Sequence, residues 1–312
     1  MAASVPINQP LVVDEERFEV SKNTVWRRFR KHKLALLGIF VLGFMILVSI
    51  FAKQLAPYDP NWIDKAWQGS PLPPTFVNAH LSAHHALGTD EIGRDLLSRL
   101  IFGARISLTV GVAATLMEVL IGTFLGAISG YYGGWIDYII MRVTDVFLSI
   151  PILPLLLVLT AIVAAKSSRA SLSFGIIVII IGGLAWPPVA RLVRATFLSL
   201  REREYTEAAR AVGNNDMRII FRHLLPNSMA PIIVQATLDV AGVIILESTL
   251  SFLGFGIQPP TASWGNMLSN AISTLQTAWW AAVFPGLCIL VTVLAINYMG
   301  DGLRDALDPN TR

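Results

Sequence analysis

Charge is scarce in this chain. Asp, Glu, Lys and Arg make up only 14% of its 312 residues, whereas a soluble domain carries nearer a quarter. With 54% apolar residues and a mean hydropathy of +0.60, the composition excludes an ordinary water-soluble globule and points to a multispanning membrane protein. Cysteine is almost missing too. Cys288 stands alone inside an apolar run, which leaves no internal disulfide and no cysteine-based metal site. There is no Gly-x-x-x-x-Gly-Lys-Ser/Thr phosphate loop, so ATP hydrolysis is not expected of this chain. Paired aspartates, Gly-x-Ser-x-Gly and His-Glu-x-x-His are likewise missing from the apolar runs, which argues against an intramembrane protease. The basic excess is dispersed rather than gathered into a stripe with aromatics, so nucleic acid is not an expected partner.

What is present is a series of long apolar runs. Crossing the hydrocarbon core takes roughly 20 apolar residues. Six runs qualify, over 34–52, about 106–129, 146–165, 174–195, 230–254 and 278–299. The fourth is interrupted by Trp186-Pro187-Pro188, which predicts a kink or a break. The first run starts only near Leu34, after a polar leader, and reads as an uncleaved anchor rather than a signal peptide. If the amino terminus is placed inside, 17 of the 24 Lys and Arg residues fall on the inner side, which puts both termini in the cytoplasm. The expected organisation is a cytoplasmic tail over 1–33, an anchor over 34–52 and an outer loop with an amphipathic helix over 53–105. A five-span core over 106–299 (spans two to six, with the 201–226 segment inside it) and a cytoplasmic tail over 300–312 complete it. Trp279 and Trp280 suit an interfacial belt.

One polar, helix-prone segment stands between the fourth and fifth runs, over 201–226. Arg201 to Val212 are good helix formers and Gly213 suits the left-handed position after a helix. Asn214 or Asn215 can cap a second short helix with Asp216 in its first turn, and Pro226 is expected to stop that helix. Two helices bent at a glycine make a rigid elbow. Ala208, Ala209 and Ala211 keep its surface shallow, and Glu207 offers a charge to a partner. A self-sufficient channel would have no use for such an elbow, so a docking role is the reading favoured.

The order Glu207-Ala208-Ala209 … Gly213 … Leu225-Pro226 resembles the EAA motif of ABC importer permeases, with His223 where the general motif has isoleucine. Three further segments are similar to the C-type subunit of dipeptide and oligopeptide permeases: Leu87 to Arg99 (LGTDEIGRDLLSR), Ser251 to Gly265, and Gly300 to Pro309. The resemblance spans about 25–310. It implies an all-α integral membrane protein of six transmembrane helices with the type I ABC importer permease fold, in the bacterial cytoplasmic (inner) membrane. It also implies a homologous B-type permease, two ABC ATPase subunits docked through the elbow, and an external solute-binding protein that delivers peptide. ATP and magnesium would sit on the ATPases, and this chain would bind no cofactor. Nickel permeases share the architecture, so a metal complex or small non-peptide solute is the alternative cargo.

Several other residues carry two readings. Glu118, Asp239 and Glu247 fall within apolar runs, where carboxylates are expensive unless they face water, a partner or a pore. They either line the pore or hold helices together. Thr89 or Asp90 reads as a helix cap, with Arg94 following and Asp95 and Arg99 paired four residues apart. That helix either receives the binding protein or simply leads into the second span. His80, His84 and His85 form the one metal-like cluster, but no cysteine or carboxylate joins it before Asp90, and no metal is assigned.

Overall fold

The computed structural model of the chain describes residues 22–64, 69–77, 85–166 and 174–307. Among these residues no strand forms beyond the isolated bridges Ile63–Arg94 and Thr89–Asp95. A short leader helix α1 (Lys22–Phe29) precedes α2 (Lys33–Ile50), and α3 (Ala52–Leu55) follows it at the far end. Then come α4 (Leu96–Tyr132), α5 (Gly134–Ser149), α6 (Ile152–Lys166), α7 (Phe174–Ala185) and α8 (Pro187–Arg201). The elbow is α9 (Glu204–Ala211) and α10 (Asp216–Ile219), continued by α11 (Leu225–Phe252); α12 (Trp264–Ala271) and α13 (Trp280–Leu307) close the chain.

Four of these helical stretches are long and apolar enough to cross a membrane alone, namely α2, α4, Asp216–Phe252 and α13. Two bent pairs, α5 with α6 and α7 with α8, raise the number to six. The α7–α8 bend of 43° falls at Trp186-Pro187, where proline lacks the N–H that would continue the helix and instead opens the next one. The α5–α6 bend is 88° and corrects the expected third span. Residues 130–145, expected as a loop between the second and third runs, are helical on both sides of Gly133, α5 reaches Ser149, and a new helix begins at Ile152. The residue before Pro151 is pushed out of the α region, and Ile150 is indeed extended, with φ −95° and ψ 126°.

Two expected boundaries are also corrected. Pro226 does not stop a helix. The chain passes from α10 through a π-helical stretch, Ile220–Leu224, directly into α11, and the Leu225 N–H bonds the Ile220 carbonyl five residues back. Widening that turn accommodates a proline that cannot donate. The last helix also passes the expected end of the sixth run at 299, since α13 continues unbroken to Leu307. Gly300 there lets α13 close on α11, since a Cβ at that position would sit 2.7 Å from Leu238.

Close backbone approach sets the centre of the bundle. Gly122, Gly126 and Gly130 form a row along one face of α4, and α8 lies in it. A Cβ on them would fall 2.6 Å from the Val189 Cβ, 2.5 Å from the Ala190 carbonyl oxygen and 2.6 Å from the Phe197 Cβ, respectively. In a bilayer, where lipid is as apolar as leucine, such small-residue seams are what let helices associate. The α8 residues facing the seam, Val189, Ala190, Val193 and Phe197, are all fully buried.

Candidate functional site

The elbow is built by a helix ending that backbone hydrogen bonds close. The Gly213 N–H bonds the Arg210 carbonyl at 2.9 Å and the Asn214 N–H bonds the Ala209 carbonyl at 3.2 Å. This is the Schellman pattern, and it needs the left-handed residue that Gly213 provides at φ +83°. Asn215 caps α10, its Oδ1 accepting from the Arg218 N–H at 2.9 Å. On the inner side Ala209, Ile219, Ile220 and Leu224 are buried against Val193 and Phe197 of α8 and Tyr131 of α4. The Tyr131 hydroxyl donates to Asp216 at 2.6 Å, and the Arg210 guanidinium lies over the Tyr131 ring. Nothing local in the sequence pairs Tyr131 with Asp216, so that anchor was not legible beforehand.

The outer side of the elbow is bare. Glu207, Ala208 and Gly213 are exposed, and no ion pair engages Glu207 among the described residues. Val212 is 83% exposed, and Met217 and Phe221 are each 58% exposed. Leu225, half-buried, and Pro226, exposed, lie at the start of α11. Ala209 alone of the motif alanines points inward.

The three carboxylates within the apolar runs divide into two groups. Glu118 of α4 and Asp239 of α11 line one cavity of about 370 Å³ with Phe147, Leu148, Pro151, Pro187 and other apolar side chains. Glu118 is 2% exposed, and its Oε1 has no hydrogen-bond partner. Asp239 Oδ1 accepts from Gln235 at 2.8 Å. Glu247 lies elsewhere, departing from the pore-lining reading. It is fully buried and accepts from Ser251 at 2.7 Å and Ser107 at 3.2 Å. Ser107 in turn accepts from the Trp264 N–H at 3.3 Å, so Glu247 fastens α12 to α4 and α11.

At the end of the bundle opposite the elbow, the predicted helix from Thr89 is a tight turn. Gly88 and Gly93 both adopt positive φ, and Asp90 Oδ1 closes the turn by accepting from the Ile92 and Arg94 N–H groups. The helix cap is Asp95, which accepts from the Ser98 N–H at 2.8 Å. Arg99 therefore pairs not with Asp95 but with Asp90, at 3.4 Å, beside the 2.6 Å Arg94–Asp90 pair. Thr89 is buried, with its Oγ1 accepting from the Leu72 N–H. Trp280 is buried here too, donating to the Thr89 carbonyl, and so belongs to the core rather than to an interfacial belt. His85 is buried with both ring nitrogens engaged, by Asp95 at 2.9 Å and Asp64 at 2.8 Å; His80 and His84 lie outside the described residues.

Residues 122–312 match the family of binding-protein-dependent transport system inner membrane components. Residues 23–74 match the N-terminal TM domain of oligopeptide transport permease C. The chain belongs to this permease family, in its C-type branch. It is 43% identical to the dipeptide transport system permease protein DppC of Escherichia coli over 287 residues, 92% of each chain. It is 40% identical to the glutathione transport system permease protein GsiD of Pectobacterium atrosepticum over 314 residues, covering 100% of this chain and 97% of that one. Among solved structures it resembles the inward-facing MetNI methionine ABC transporter, with a TM-score of 0.55 and 19% identity over 68% of this chain and 98% of that one. The fold is that of a type I ABC importer permease.

Proposed function

We propose that this permease forms half of the translocation pore of an ATP-driven importer of di- and oligopeptides, in the cytoplasmic membrane of a bacterium. Its termini and elbow face the cytoplasm, and its other half is a homologous B-type permease. The elbow docks one of two ABC ATPase subunits, which hold the ATP and magnesium; this chain does no chemistry and binds no cofactor. An external binding protein delivers the peptide to the end that carries the Thr89–Asp95 turn.

The observation that carries this reading is the continuity of the elbow with the pore helix. The inner face of the elbow is locked to α4 and α8, while Glu207, Val212, Met217 and Phe221 stand free for a partner. From Asp216 the chain is helical without interruption to Phe252. A displacement of the elbow is thus carried along one continuous helical rod, through the π-helical turn Ile220–Leu224 and past Pro231, to Asp239 at mid-length of α11. Closure of the ATPases would rock this rod and switch the side to which the pore opens.

The test is purification of the transporter from native membranes through a tag on this chain. The unaltered chain is expected to bring ATPase subunits with it. Glu207→Lys reverses a free charge, and Gly213→Pro forces φ to about −65° where +83° is required. Both variants should stay in the membrane but lose the ATPases and peptide uptake. Normal uptake by either one would refute the docking assignment.

A further inference from the structure

We propose that Glu118 and Asp239 form a subsite for a primary ammonium group, the charged amino terminus of the peptide in transit; this rests on the importer reading above. Three observations converge on it. Two carboxyl groups from different helices, α4 and α11, face one cavity whose remaining lining is apolar. No lysine or arginine lines that cavity among the described residues, so the two acids, which hydrogen-bond one another, have no counter-charge there beyond a shared proton that an arriving cation would displace. Glu118 is buried to 2% exposure and yet its Oε1 has no donor, although buried acceptors are almost always satisfied.

The chemistry of the visitor follows from the donor set. A hard divalent cation asks for six or more oxygens, and a transition metal prefers imidazole or thiolate. Two carboxylates with one amide, that of Gln235, already spent on Asp239, supply neither. An ammonium group has three donors and no acceptor, which matches the unpartnered Glu118 Oε1 together with the Asp239 carboxyl that Glu118 hydrogen-bonds. The volume, about 370 Å³, lies in the range of small-ligand sites, and Phe147, Leu148, Leu155 and Leu246 give the first side chain of the peptide an apolar surface. Asp239 lies on the rod that starts at the elbow, whereas Glu118 lies on α4.

The test measures equilibrium binding to the transporter in nanodiscs, without the binding protein, using glycyl-leucine amide and its N-acetyl derivative. The free amine is expected to bind at least ten-fold tighter than the acetylated peptide. Glu118→Gln and Asp239→Asn should each erase that preference while ATPase subunits still co-purify. Equal binding of the two peptides by the unaltered transporter, or a preference that survives both substitutions, overturns the proposal. Displacement of the amine by micromolar nickel, competitive and abolished by the same substitutions, would overturn it in favour of a metal site. Failure of the importer reading shows separately, as an unaltered transporter that brings no ATPase with it.

Discussion

The hydroxyl of Tyr131, in the last turn of α4, donates to the carboxylate of Asp216, in the first turn of α10, at 2.6 Å. Eighty-five residues separate them in sequence, and the bond makes the elbow an extension of α4 as well as of α11. Tyr131→Phe removes the hydroxyl but keeps the ring under Arg210. The expected cost is about 1.5–3 kcal/mol, the net worth of a hydrogen bond to a charged group. ATPase subunits should therefore still co-purify. Because the elbow would pivot more freely, peptide imported per ATP hydrolysed should fall severalfold, a ratio measurable in proteoliposomes. An unchanged ratio would show that the elbow is held by its apolar face alone.

The glycine seam between α4 and α8 leaves no room for a side chain. Gly126→Val places its Cβ against the Ala190 carbonyl, a backbone atom that cannot swing aside. Overpacking of this kind costs about 1–3 kcal/mol or more, and the variant is expected to melt several degrees lower in detergent or to fail to accumulate. Gly43→Val in α2, where a Cβ meets nothing within 4 Å, is the control and should melt as the parent does.

Much of this architecture could be read from the sequence, because hydrocarbon thickness imposes run length and proline imposes the breaks. The bend at Trp186-Pro187 was legible for that reason. The extent of α5 was not. Residues 130–145 fell between the second and third apolar runs and so read as a loop, yet Asp137 pairs with Arg194 at 2.7 Å and Asp145 with Arg191 at 2.7 Å, which ties a helix to α8. The elbow's bend was legible from Gly213, a purely local signal. Its anchor on Tyr131 was not, because tertiary pairing leaves no local mark. The turn over Thr89–Asp95 was misread as a helix because Thr-Asp-Glu is also a capping signature; Gly88 and Gly93, both at positive φ, decide against it. Three carboxylates looked equivalent along the chain, and only packing separates Glu247, satisfied by serines, from Glu118, which is not.

His85 clasps two chain segments by bridging Asp64 and Asp95. His85→Ala leaves the Asp95 carboxylate, 1% exposed, with only its Ser98 donors, and losing one partner of a buried hydrogen bond costs about 1–3 kcal/mol. A fall of several degrees in melting temperature is expected, with the largest gain in hydrogen exchange around 58–64 and 85–95. Nickel should leave the melting temperature of the parent chain unchanged, because both ring nitrogens are already engaged. A nickel-dependent rise that His85→Ala abolishes would instead favour the metal-complex cargo.

Glu91, on the same turn, gives a pH signature whose sign can be worked out. Burial, and to a lesser degree the neighbouring Asp90 carboxylate, holds its pKa above the ordinary glutamate value. Ionising it is therefore harder in the folded protein than in the unfolded chain. Its contribution to stability is complete below the unfolded pKa and is lost as the pH rises through the raised folded value. Glu91→Gln cannot ionise, and its amide oxygen can still accept from Arg94, which approaches Glu91 at 3.3 Å. The variant and parent should melt together at about pH 4, with the variant pulling ahead as the pH rises to about 8, beyond the ordinary glutamate pKa. A variant that instead melts lower at the higher pH would mean that the Arg94 pair outweighs the burial of the carboxylate.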